Sequence, residues 1–84
     1  MNEKVIVSVM LPASRNIYDF RIPKSMRVRE ASRLVAELLE SRERSLFAAS
    51  PDNALMERES GELLDPDSTI GRAGLTNGSR LVLV

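Results

Sequence analysis

The sequence predicts an α+β fold in which a mixed sheet of four to five strands packs on one main helix, and three observations carry that reading. Two runs within the first 23 residues, Lys4 to Leu11 and Tyr18 to Ile22, have period two, residues from Val28 to Leu39 switch to a helical period, and the chain ends on a short β-rich run, Arg80 to Val84. At 84 residues, 43% apolar and 29% charged, the chain has the composition of a globular protein and the length for one small core. Residues 1–84 therefore read as a single domain.

Val5, Val7, Val9 and Leu11 share one face of the first strand and face the core, with Ile6, Ser8 and Met10 on the other face. Pro12 to Asn16 turn the chain into a second alternating run, where Tyr18, Phe20 and Ile22 oppose Asp19 and Arg21 and Pro23 closes the strand. Val28, Ala31, Val35, Leu38 and Leu39 then repeat at i, i+3, i+4, i+7, with Leu34 flanking and Arg29, Glu30, Arg33, Glu37 and Glu40 opposite. The helix start is weakly marked, because Arg27 holds the N-cap position while the better capping residue, Ser25, comes two residues earlier. Its end is equally open: Ser41 to Ser50 contains no Gly, Leu46 falls back on the apolar stripe, and Pro51 bounds any continuation. Ala54 to Met56 reads as a third strand, Leu63 and Leu64 as a still shorter fourth, and residues 69–75 as one helical turn. Asn77 and Gly78 supply a tight turn before the last strand. Phe20, Val35, Leu38, Leu75 and Leu81 are expected between helix and sheet.

This order closes if the helix crosses one face of the sheet and the last strand pairs with the first, which is a β-grasp arrangement. Leu64, Asp65, Thr69, Ile70, Gly74, Leu75, Asn77, Gly78, Ser79, Arg80, Leu81 and Leu83 resemble the closing half of a ubiquitin-like domain. More narrowly, Tyr18-Asp19-Phe20-Arg21-Ile22-Pro23 with Val28 opening the helix, and Gly74 to Leu81 before the terminus, resemble the YukD/EsaB family of bacterial type VII secretion. Residues 41–54 match no pattern of that family.

Composition removes whole classes of chemistry. With no Cys and no His, there is no disulfide, thiol nucleophile, imidazole base or zinc site of the usual nitrogen and sulfur ligands, so no catalytic residue, cofactor or metal is assigned. Asp65 and Asp67 flank Pro66 and read as a capped turn instead of a cation site. Twelve basic residues balance twelve acidic ones, and Arg29 and Arg33 alternate with Glu30 and Glu37, so nucleic acid is not an expected partner. The longest apolar stretches are far shorter than the roughly 20 residues that span a bilayer, so no direct membrane insertion is expected. Gly71, Gly74 and Gly78 read as turn glycines, not as a phosphate loop.

The outward positions of the first and last strands are less ordinary. Ile6, Met10, Val82 and Val84, with Arg80 at the margin, read as an exposed apolar strip on the open face, with Val82 beside Ile6. Such a strip is either plain strand propensity or a partner-binding patch. The family resemblance implies a non-enzymatic protein-interaction domain, an accessory or regulatory part of a type VII secretion system. It implies a cytoplasmic place at the inner face of the membrane, and partners such as the system's pseudokinase-type membrane protein or its FtsK-like ATPase. Because Val84 ends the sequence on a strand with no Gly-Gly tail, conjugation and sulfur transfer are not expected. The alternatives are a ubiquitin-like modifier or sulfur carrier whose tail lies outside the sequence, and the soluble N-terminal domain of a longer membrane secretion component.

Overall fold

A computed structural model describes residues 3–84, so the first two residues of the domain expected over 1–84 lie outside the described residues. The elements run β1 (Lys4–Met10), β2 (Ile17–Pro23), α1 (Val28–Arg42), β3 (Leu55–Glu57) and β4 (Ser79–Leu83). The sheet order is β2-β1-β4-β3, with β1 antiparallel to β2, parallel to β4, and β4 antiparallel to β3. This is the mixed β-grasp sheet expected from the element order. The second short strand, at Leu63 and Leu64, is reduced to an isolated bridge from Leu63 to Met56.

Alternation in β1 places Val5, Val7, Val9 and Leu11 in the core, where they meet Leu55, Ile70, Leu75, Leu81 and Leu83 under the helix. The helix buries Val28, Ala31, Ser32, Val35, Ala36 and Leu39. The buried Ser32 hydroxyl is satisfied by donating to the Val28 carbonyl at 2.8 Å. Leu38, expected in the core, is 54% exposed. The buried arc of the helix runs through Val28, Ala31, Ser32, Val35, Ala36 and Leu39, and Leu38, about 100° of helix rotation from Leu39, falls just beyond its edge. Phe20 is half-buried instead of enclosed, because β2 is an edge strand.

The weakly marked helix start has a tertiary solution. Arg27 makes no side-chain cap, but the Val28 N–H donates to the Ser68 carbonyl (2.8 Å) and the Arg29 N–H to the Pro66 carbonyl (3.0 Å), satisfying donors that a helix start leaves open. The turn supplying those carbonyls is held by its own side chain, the Asp67 N–H donating to Asp65 Oδ1 at 2.9 Å. Residues 69–75 form hydrogen-bonded turns, with the Ala73 N–H on the Thr69 carbonyl.

The helix stops at Arg42, and Leu46 is exposed. Glu43 is buried, accepting hydrogen bonds at Oε2 from the Tyr18 hydroxyl and from Asn16 Nδ2 (3.2 Å), while Oε1 is buried without a partner. The Tyr18 hydrogen bond first, with Asn16 adding to it, holds the Glu43 carboxyl below its usual value of 4.5, against the opposing effect of burial. The same hydrogen bond raises Tyr18 above 10.0, and the Arg42 guanidinium sits 5.8 Å from its ring centre. This clasp ties the end of the helix to the β1–β2 hairpin.

Candidate docking face of the sheet

Helix α1 covers one face of the sheet and leaves the other open. On the open face, strand register decides which side chains meet, because directly opposed residues point the same way. Met10 opposes Ile17 on β2 and Val82 on β4, Val82 opposes Met56 on β3, and Met56 bridges to Leu63. The result is one transverse apolar row, Ile17-Met10-Val82-Met56-Leu63, crossing every strand. Its ends are open, with Ile17 50% and Leu63 63% exposed, and both methionines are half-buried.

The five residues singled out from sequence are distributed along this face less simply than expected. Met10 and Val82 are neighbours in the row. Ile6 is exposed, but it lies opposite Arg21, and its carbonyl accepts from the Gly78 N–H, so it stands two rows away from Val82 and not beside it. The row between them is polar: Asp19, Ser8 and Arg80, with Arg80 ion-paired to Glu59 at 2.8 Å. Val84 is exposed one step beyond the row, paired with Ala54 through both backbone hydrogen bonds.

Val82 itself corrects the expected exposure. It is only 5% exposed, yet it is absent from the core cluster under the helix. A central strand position flanked on both sides by long, flexible methionines is roofed by them, even on the face without a helix. Ile17, Met56 and Leu63 complete the row and were missed from sequence. Ile17 carried a signal, since it occupies the odd face of the second strand. Leu63 carried none, because its place depends on an isolated bridge.

Among the described residues the face holds no enclosed polar cluster, and its charged groups are solvated; its chemistry is that of apolar contact bordered by ions. Among the described residues, no helix is long and apolar enough to cross a membrane.

The family model described as "WXG100 protein secretion system (Wss), protein YukD" matches residues 4–83. No curated protein matches the chain in sequence. Among solved structures, the ubiquitin-like domain of the Mycobacterium tuberculosis type VII secretion system protein ECCD1 is 19% identical, with a TM-score of 0.75 and 98% of each chain covered. The EccD5 ubiquitin-like domain from Mycobacterium xenopi is 16% identical, with a TM-score of 0.80 over 98% of this chain and 93% of that one. A chain of the MycP5-free ESX-5 inner membrane complex is 20% identical, with a TM-score of 0.80 over 96% of this chain. The present chain spans only 20% of that protein's length. These likenesses establish the ubiquitin-like β-grasp fold.

Proposed function

The chain belongs to the YukD family of the WXG100 protein secretion system, and from that premise we propose that it is a non-catalytic docking domain whose open sheet face binds a protein component of the secretion machine. The observation that carries this reading is the apolar row Ile17-Met10-Val82-Met56-Leu63, exposed at both ends and reaching across all strands. Apolar surface so arranged gains by being covered, at roughly 25 cal/mol per Å², while the adjoining polar row of Asp19, Ser8 and Arg80 sets the orientation of whatever covers it.

The partner belongs to the membrane assembly, with its pseudokinase-type protein and FtsK-like ATPase as the candidates, and the domain works on the cytoplasmic side of the membrane. Likeness to a domain within an inner membrane complex supports that placement. The same likeness, to a chain of which this one spans 20%, supports a second reading in which this chain is the soluble N-terminal domain of a longer membrane secretion component. Both readings use the same face.

The test is a titration of the chain against those membrane components, with Ile17→Asp and Leu63→Asp as variants. Both residues are at least half exposed, so each variant is expected to melt with the parent. A charge buried unpaired beneath a partner costs several kcal/mol, so binding is expected to weaken about a hundredfold or more. Parent-like binding by both variants would remove the open face as the interface and leave the charged helix face around Arg29, Arg33 and Glu37.

A further inference from the structure

The two edges of the sheet are finished differently. At the β3 edge the outward backbone groups are already occupied: the Leu64 N–H donates to the Leu55 carbonyl at 2.9 Å, and the Glu57 N–H to the Glu62 carbonyl at 2.8 Å. At the β2 edge they are not. The Lys24 N–H donates to the Glu3 carbonyl and the Leu11 N–H to the Asn16 carbonyl, which sets the phase of the β1–β2 ladder. Tyr18, Phe20 and Ile22 are in that phase and direct their backbone groups to β1, so Ile17, Asp19 and Arg21 direct theirs outward. No described residue bonds to those outward groups.

Beside this bare edge, on the helix side, runs a groove of about 110 Å³ whose walls include Phe20, Met26, Leu34 and Leu38. Leu38 stands exposed there, a large apolar side chain that the fold itself does not use. An open strand edge next to an unfilled apolar groove fits an added strand whose side chains enter the groove at alternate positions.

We propose that the added strand is the same β2 edge of a second copy of this chain, paired antiparallel about a two-fold axis at Phe20, so that two four-stranded sheets become one. Charge selects the register. Residues with outward backbone groups must oppose one another, and an axis at Asp19 sets two carboxylates face to face, while an axis at Arg21 does the same with two guanidinium groups. An axis at Tyr18 opposes Ile17 to Asp19 and carries Arg21 beyond the strand. Only the axis at Phe20 places Asp19 of each copy opposite Arg21 of the other. Neither residue has another ion-pair partner among the described residues.

The same axis brings the two Phe20 side chains together in a pair that lacks mutual backbone hydrogen bonds, the kind in which side chains approach more closely. Each ring then caps the other copy's groove beside Leu34 and Leu38. Pro23, opposite Ile17 in this register, has no N–H to extend the ladder. The covered β3 edges leave the joined sheet nowhere to grow, so the assembly closes as a dimer instead of propagating as a fibre.

Sedimentation equilibrium of the chain, at concentrations up to about 1 mM, tests the proposal. The parent is expected to dimerise, whereas Asp19→Arg and Arg21→Asp each weaken dimerisation at least tenfold without shifting the melting temperature, both positions being exposed. Mixed together, the two single variants are expected to pair with each other, because each then opposes Arg to Asp at both positions, and the double swap in one chain restores the homodimer. Leu38→Ser is expected to weaken the dimer without being rescued by mixing. A parent that stays monomeric at about 1 mM, a dimer indifferent to both reversals, or single variants that fail to pair would each overturn the proposal. So would a monomer that takes up a foreign extended peptide along β2 in place of a second copy.

Discussion

Leu81 and Val82 are neighbours in β4 and almost equally hidden from water, at 1% and 5% exposure, yet they are hidden by different things. Leu81 lies in the cluster between sheet and helix, whereas Val82 lies outside it, flanked on the open face by Met10 and Met56 of the adjoining strands. Burial on the helix side is close packing from several elements. On the open side it is a cover of two flexible side chains, which a partner can rearrange.

The largest expected effect tests the helix side. Leu81→Ala should cost about 2 to 5 kcal/mol, a large share of the roughly 4 to 13 kcal/mol available to a chain of this length, and a urea melt reads it directly. A loss below about 1 kcal/mol would mean that the helix-side core is no better packed than the open face. Val9→Ala and Val82→Ala make the comparison with identical chemistry on opposite faces. Each removes roughly 1.6 kcal/mol of transfer free energy, taken as two methylene equivalents, and Val9 should lose more because its rigid surroundings keep the cavity. Equal losses would dissolve the distinction between the faces.

A smaller effect comes from pH, through the Tyr18–Glu43 clasp at the rim of the helix side. Glu43 is depressed in the fold, so its contribution is fully present above its unfolded value of 4.5 and is lost as pH falls through the folded value below that. Tyr18 is raised, so its contribution is present below 10.0 and is lost as pH rises through the folded value above that. Melting temperature against pH is therefore expected to show a plateau with a decline at each end, and Tyr18→Phe is expected to flatten both declines. Smallest of all, Leu63→Ser at the open end of the apolar row should change stability by no more than about 0.5 kcal/mol. A larger loss would show that Leu63 supports the fold instead of lying free for a partner.

Much of the fold is legible along the chain. Strict alternation at Val5, Val7, Val9 and Leu11 located the core face of β1, and the period change after Pro23 located the helix. The errors cluster where two elements had to be brought together. Leu38 sits on the apolar stripe, but whether Leu38 or Leu39 meets the sheet depends on how the helix is rotated over β1. Glu43, between Arg42 and Arg44, looks like part of a solvated charged stretch; it is buried because Tyr18 and Asn16 arrive from the hairpin.

The candidate site divides along the same line. Periodicity determined by itself that Ile6, Met10, Val82 and Val84 point away from the core, because neighbouring strand residues alternate faces and this needs no partner strand. Only the tertiary structure decided which of them stand together. Parallel pairing set Met10 against Val82 and moved Ile6 two rows away, while antiparallel pairing and a single bridge added Ile17, Met56 and Leu63. Side-chain direction is a local property of the backbone, whereas a row across a sheet depends on register, which is set by contacts between residues as far apart as Met10 and Val82.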